Sequence, residues 1–149
     1  MTVVILGDQF DEIVPEIQKA LDGALANTLN LQQGALAKAN PKDTGRMASS
    51  WFIGQNQARR DSRPENWAAP GAERLEIEEF NQKITFKGDW YISNAVPYAI
   101  YTALNYKPAA KAQKDWYTST ANQTLNVFKR QFDKLKPRSI TSQFVPVMS

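Results

Sequence analysis

The chain has 149 residues, a net charge of +3, and neither histidine nor cysteine. Catalysis by Ser–His or Cys–His pairs, thiol redox chemistry and zinc binding through imidazole or thiolate are excluded, because each needs one of these side chains. Without disulfides a chain of this length must be held together by its core, and we predict one domain over residues 1–136.

Charge is unevenly distributed along the chain. Residues 105–149 contain eight Lys or Arg and two acidic residues, a net charge of +6, whereas residues 1–104 have a net charge of −3. Such a split is typical of subunits that associate head to tail, or of a basic face directed at nucleic acid. A solvated, Lys-rich helix is the plainer alternative. We predict no signal peptide and no apolar stretch of the ~20 residues that a membrane span requires.

The first predicted element is a long amphipathic helix. Its apolar or small residues recur in steps of four and three, at Phe10, Val14, Ile17, Leu21, Ala24, Thr28, Leu31 and Ala35. This spacing predicts a helix of roughly 25 to 30 residues with a narrow apolar seam. Pro15 predicts either a start near Val14 or a kink. We expect the seam to pack within the domain, with an intersubunit coiled coil as the alternative.

A sharp corner is predicted where this helix ends, before Pro41. Asp43 and Thr44 are turn formers, and Gly45 tolerates a positive φ. A strand over residues 46–54 follows. Its alternation places Trp and Phe on opposite faces, which indicates burial on both sides.

The next stretch, residues 55–71, lacks periodicity and contains two prolines, so we predict a long exposed loop. Its candidate contacts for a phosphate or a partner are Arg59, Arg60, Arg63 and Trp67, because Arg and Trp are enriched at binding hot spots. The alternative is a mobile, solvated loop.

A short acidic helix is predicted over residues 72–83. Ile77, Phe80 and Ile84 recur at helical spacing, with glutamates between them. Consecutive glutamates point around a helix rather than toward one centre, so no metal site is predicted.

Residues 88–106, GDWYISNAVPYAIYTALNY, are predicted to form a strand, a turn and a short helix. Residues 90–92 are strand formers, Asn94 is a turn former, and Pro97 suits the first position of a helix. We expect this strand to pair with residues 46–54 in a two- or three-stranded antiparallel sheet. The five aromatic residues predict a packing or contact surface.

The last predicted helix covers residues 115–136, with apolar steps at Tyr117, Ala121, Leu125, Phe128, Phe132 and Leu135. Its basic residues are Lys129, Arg130, Lys134 and Lys136. An extended C-terminal tail, residues 137–149, is predicted to follow. Within it Ile140, Phe144 and Val145 are candidate interface residues, because a strand-prone tail can add to the sheet of a neighbouring subunit. The fold class is therefore α+β, with long terminal helices packed on a small antiparallel sheet.

Two motifs resemble those of the tail-completion, or neck, proteins of long-tailed bacteriophages. That family has a P-x-DTG corner followed by a hydrophobic residue and a serine, matched here by Pro41, Asp43, Thr44, Gly45, Met47 and Ser50. Its I-x-N-x-x-PYA segment is matched by Ile92, Asn94, Pro97, Tyr98 and Ala99. The Glu-x-Gly that follows in the family is replaced here by residues 103–106. The resemblance covers roughly residues 9–136.

The resemblance implies a structural virion protein at the head–tail junction, without catalytic residues, metal or cofactor. It implies a homo-oligomeric ring, six- or twelve-fold, that contacts other head–tail connector and tail proteins. Non-specific contact with packaged DNA is a further expectation, and the host cytoplasm is the expected location during assembly. The alternative function is a small basic DNA-binding protein that uses the last helix. A restriction-type nuclease is not predicted, because no lysine has an acidic residue two positions before it.

Overall fold

The fold combines helices with a small antiparallel sheet, which confirms the predicted α+β class. The computed structural model describes residues 10–41, 44–69, 71–105 and 115–137. Within these ranges the elements, in chain order, are α1 (Phe10–Ala39), β1 (Trp51–Gln55), β2 (Trp90–Asn94), α2 (Trp116–Ala121) and α3 (Thr124–Leu135). A 3-10 helix at Ala48–Ser50 precedes β1, and a π-helical turn at Tyr101–Asn105 follows β2.

The long N-terminal helix is confirmed, and it includes Pro15 rather than beginning at Val14. Within the chain, α1 contacts α2, α3 and β1. The prediction of a narrow apolar seam is wrong in part, because Leu31 is 51% exposed whereas Gln32 and Gln33 are buried. Glutamine can be buried here because its amide is satisfied, as where Gln32 Nε2 donates to Thr120 O at 2.8 Å.

The two strands pair antiparallel, with Trp51 opposite Asn94 and Ile53 opposite Ile92. Residues 51–54 are all buried, which confirms the prediction of burial on both faces. β1 begins later than predicted. The Ser50 hydroxyl donates to Arg46 O at 2.6 Å, a local bond that favours a helical turn over a strand at residues 48–50.

The side chain of Trp51, the first residue of β1, lies in the core and contacts α2. Its ring stacks on Tyr117 at a centroid distance of 6.0 Å and meets Trp116 edge-on at 6.2 Å. Its indole N–H donates to Asn40 Oδ1 at 2.9 Å, so the buried polar atom is paired. The surrounding buried cluster consists of Leu36, Ala37, Met47, Trp51, Val96, Ala99 and Trp116.

The acidic helix predicted for residues 72–83 is wrong, because these residues form neither helix nor strand. The Ser49 hydroxyl donates to Arg74 O at 3.1 Å and accepts from Glu76 N–H at 2.9 Å. Gln33 Nε2 donates to Glu78 O at 2.8 Å. Backbone groups that a helix would pair internally are thus taken by side chains distant in sequence.

The single C-terminal helix predicted over residues 115–136 is divided at Asn122 and Gln123 into α2 and α3. Thr hydroxyls bond to the backbone on both sides of the break: Thr120 Oγ1 to Trp116 O at 2.7 Å and Thr124 Oγ1 to Ala121 O at 2.8 Å. Such bonds compete with a continuous helix. Leu125, assigned to the apolar seam, is instead 61% exposed. Apart from Pro137, the predicted tail lies outside the described residues.

Candidate interaction surfaces

The two sequence motifs lie side by side in the structure. The Asn94 side-chain amide donates to Met47 O at 2.8 Å, and its carbonyl oxygen accepts from Val96 N–H at 3.2 Å. The Arg46 guanidinium lies 6.0 Å from the centre of the Tyr98 ring. The corner before β1 and the turn after β2 therefore form one structural unit.

The corner is built around Gly45, whose φ of +82° confirms the prediction of a positive value. A Cβ atom at this position would lie 2.0 Å from Arg74 O. Thr44 O accepts a hydrogen bond from Arg74 N–H at 3.0 Å, which keeps the two backbones in contact. Pro41 follows the end of α1, and Asp43 lies outside the described residues. The described part of the motif is therefore structural.

An exposed apolar surface follows Pro97. Ala99 N–H donates to Val96 O at 2.9 Å, and both of these side chains are buried. Three neighbouring side chains are largely exposed, namely Tyr98 (43%), Ile100 (73%) and Tyr101 (65%). We call these three the apolar turn. Contiguous exposed apolar side chains mark interaction sites, so the apolar turn is the first candidate surface. The sequence indicated a packing or contact surface here but singled out only Tyr98.

Most of the described residues in the loop after β1 are exposed, as predicted, but part of the loop packs against the rest of the fold. Trp67 is only 7% exposed, and its indole N–H donates to Arg74 O at 2.8 Å. Arg63 Nε donates to Ser49 O at 3.0 Å, and the Arg63 guanidinium lies 4.7 Å from the centre of the Trp67 ring. The prediction of an exposed loop is therefore wrong at Trp67, because contacts distant in sequence bury it.

Arg59 is also engaged within the fold. Its guanidinium lies 4.4 Å from the centre of the Phe52 ring and forms ion pairs with Asp61 and Glu78. By donating to Asp61, Arg59 holds the pKa of that carboxyl below its usual value, and the pair raises the pKa of Arg59. Arg60 is exposed and makes no hydrogen bond or ion pair with any described residue. Among the three candidate arginines of this loop, Arg59 and Arg63 are half-buried and Arg60 alone is fully exposed.

A basic surface lies on α3. Val127 is buried, whereas Lys129, Arg130 and Lys134 are exposed. The fourth residue of the predicted set, Lys136, donates to Asp133 at 3.1 Å. This basic face is the second candidate surface, and it suits contact with an acidic partner or with phosphates.

Ile140, Phe144 and Val145 lie outside the described residues. Within residues 10–41, 44–69, 71–105 and 115–137, no three or more acidic side chains are grouped to hold a metal ion. In the same ranges, no helix has the length and apolar character needed to cross a membrane. No family model, curated protein or solved structure matches this chain.

Proposed function

We propose that this chain is a structural subunit of the head–tail junction of a long-tailed bacteriophage. In this role it assembles into a homo-oligomeric ring that joins the tail to the DNA-filled capsid. It contacts other connector and tail proteins, and it reaches the virion from the host cytoplasm.

The observation that carries the proposal is the contact between the two family-like motifs. Asn94 of the second motif bonds to Met47 O of the first at 2.8 Å. The motif residues are far apart in sequence and weak as separate signals. Their contact supports the proposal, because two motifs of one family are expected to form one local structure.

Self-association is supported by the surface. The apolar turn exposes three large side chains, and α3 exposes three basic ones. Acidic residues Glu73, Glu76 and Glu79 are exposed on a different part of the chain. Unlike surfaces on one subunit favour heterologous, head-to-tail contacts, which close into a ring when the rotation between subunits permits.

A phage whose genome encodes this chain provides the test. An amber codon early in the gene should give filled heads and separate tails in electron micrographs. The wild-type chain supplied in trans should restore infectious particles. Infectious particles formed without the chain, or its absence from purified virions, would contradict the proposal.

A matched pair of variants makes this test specific to the apolar turn. Ile100→Ser should not restore tail attachment. Leu31→Ser, which removes a leucine of 51% exposure on α1, away from both candidate surfaces, should restore it. Both side chains are exposed, so both variants should keep the wild-type melting temperature.

The alternative, a DNA-binding protein, is favoured by one observation, the exposed Lys129, Arg130 and Lys134 on α3. Its test is the affinity for duplex DNA as a function of salt. A protein that neutralises several phosphates loses affinity steeply as salt rises. Two results together would favour DNA binding over the head–tail role. The affinity for DNA would fall steeply with salt, with a slope that Lys129→Glu reduces, and the protein would be absent from virions.

A further inference from the structure

The outer edge of β2 is unpaired within the described residues. Asn56 N–H donates to Asp89 O at 2.6 Å, in the pair that continues the register of the two strands. Hydrogen-bonded and non-bonded pairs alternate along an antiparallel ladder. Tyr91 and Ser93 therefore direct their backbone groups toward β1, whereas Ile92 directs its N–H and C=O away from the sheet.

The two edges of the sheet differ in how they are covered. On the β1 side, Trp51 O accepts from Gln33 Nε2 at 2.8 Å, and the same nitrogen also donates to Glu78 O. On the β2 side, no hydrogen bond from a described residue reaches the outward backbone groups of Ile92. An uncovered strand edge is a template for another extended segment.

An apolar groove runs beside this edge. It has a volume of about 270 Å³ and is lined by Trp51, Ile92, Ser93, Asn94, Ala99, Ile100, Ala103 and Tyr117. Six of these eight side chains are apolar or aromatic. A segment laid along β2 would thus bond its backbone to the edge and place alternate side chains in the groove, as in β-strand addition.

We infer that this edge accepts residues 140–147 of a second copy of the chain as a third strand. Their sequence, ITSQFVPV, is rich in strand formers and carries no charge. Its apolar side chains suit a groove lined by Ile92, Ile100 and Tyr117. Pro146 is compatible, because an added strand has an outer edge on which a missing N–H breaks no hydrogen bond.

A second copy is the donor we propose, because the whole segment cannot lie in the groove of its own chain when its first residue falls short of that groove. α3 runs along α1 so that Leu135 lies at Gly23, where an added Cβ would be 3.0 Å from Leu135 Cδ1. The groove adjoins the cluster that contains Leu36. The part of α1 between Gly23 and Leu36 is about 20 Å long at a rise of ~1.5 Å per residue. The three residue-to-residue steps from Pro137 to Ile140 span at most about 10 Å.

This inference rests on the self-association in the proposed function but not on the place of the protein in a virion. Purified full-length protein is therefore sufficient to test it. If the purified protein shows no addition of the tail to β2, this inference is rejected, whereas the phage experiment still tests the proposed function.

The absence of cysteine makes disulfide trapping specific. Full-length Tyr91→Cys is mixed under oxidising conditions with full-length variants that each carry one cysteine between positions 140 and 147. Tyr91 is 40% exposed, so the substitution should leave the fold intact. Since its backbone bonds to β1, an antiparallel third strand would face it in a non-bonded pair. The Cα separation in such a pair is about 4.5 Å, within disulfide range.

The expected result is a mixed dimer at one tail position, weaker dimers two positions away, and none at the positions between, because side chains alternate across a strand. Leu125→Cys replaces Tyr91→Cys as the control, since it is at least as exposed but lies on α3. No dimer above this control, or dimers at every position alike, would overturn the inference.

Hydrogen exchange of the unmodified protein gives a second measurement. The Ile92 amide should become protected at least tenfold as concentration rises and copies associate, whereas the Tyr91 amide, already bonded to β1, should change little. Ile92 exchange that does not depend on concentration would also overturn the inference.

Discussion

At the scale of single residues, Gly45 offers the sharpest test of the corner. A left-handed φ costs a residue with a side chain roughly 1–2 kcal/mol, and here a Cβ would also lie 2.0 Å from Arg74 O. Gly45→Ala should therefore lower the free energy of unfolding by about 2–4 kcal/mol in total, which is more than the conformational cost alone. Urea denaturation of the purified chain measures the change.

Gly71→Ala is the matched control for Gly45→Ala. Gly71 has nearly the same φ, +81°, but no heavy atom lies within 4 Å of its added Cβ. Gly71→Ala should therefore show the conformational cost without the clash. Equal losses in the two variants would mean that the approach of Arg74 to the corner does not stabilise the fold.

Residue-scale prediction from sequence succeeded where the cause is local. The positive φ of Gly45 could be predicted because glycine adopts positive φ in a turn at less cost than any other residue. The burial of Trp67 has no such signal, because it depends on Arg63 and Arg74, which are distant in the chain from one another and lie over its ring. The contact between Asn94 and Met47 O likewise appears only once the strands are paired.

At the scale of elements, Gln33 connects α1 to both the sheet and the irregular segment of residues 72–83. Its amide nitrogen donates to Trp51 O and to Glu78 O, each at 2.8 Å, and the side chain is 2% exposed. An unpaired buried carbonyl costs about 1–3 kcal/mol. Gln33→Met, which keeps the length of the side chain, should therefore lower the free energy of unfolding by about 2 kcal/mol or more.

Limited trypsin digestion distinguishes a local effect of Gln33→Met from general destabilisation. Cleavage after Arg74 and Lys83 should accelerate before cleavage within α1 does, because the bond to Glu78 O helps to hold this segment in place. The control is Gln18→Met on the exposed face of the same helix, for which both stability and cleavage should match wild type. A Gln33→Met digest identical to wild type would show that the segment is held by its other contacts.

The same segment explains why some elements could be predicted and others could not. α1 and the two strands have periodic apolar residues that bury one or both faces, so the pattern predicts the structure. Residues 72–83 also have helical spacing, but their backbone is bonded to Ser49 and Gln33. The apolar spacing of residues 72–83 carries no information about such distant partners.

At the scale of the whole molecule, stability should be nearly independent of pH between 5.5 and 8. The chain has no histidine, so no side chain with an ordinary pKa titrates in this range. Below about pH 4 the carboxylates become neutral while 18 Lys and Arg remain charged, and repulsion among them should destabilise the fold. Thermal unfolding across this range measures both parts of the prediction.

Asp61 provides a residue-specific test of how stability changes at low pH. Because the pKa of its carboxyl is lowered in the folded protein by hydrogen bonding to Arg59, its stabilisation is fully present above the unfolded value of about 3.9. That stabilisation is lost as pH falls through the lower, folded value. Asp61→Asn should therefore be less stable than wild type at pH 7, and the difference should shrink toward zero in acid. The side chain is 57% exposed, so the difference at pH 7 should stay within the ~1 kcal/mol typical of surface ion pairs. A difference that grows as pH falls would reverse the sign and show that Asp61 does not favour its charged form in the folded chain.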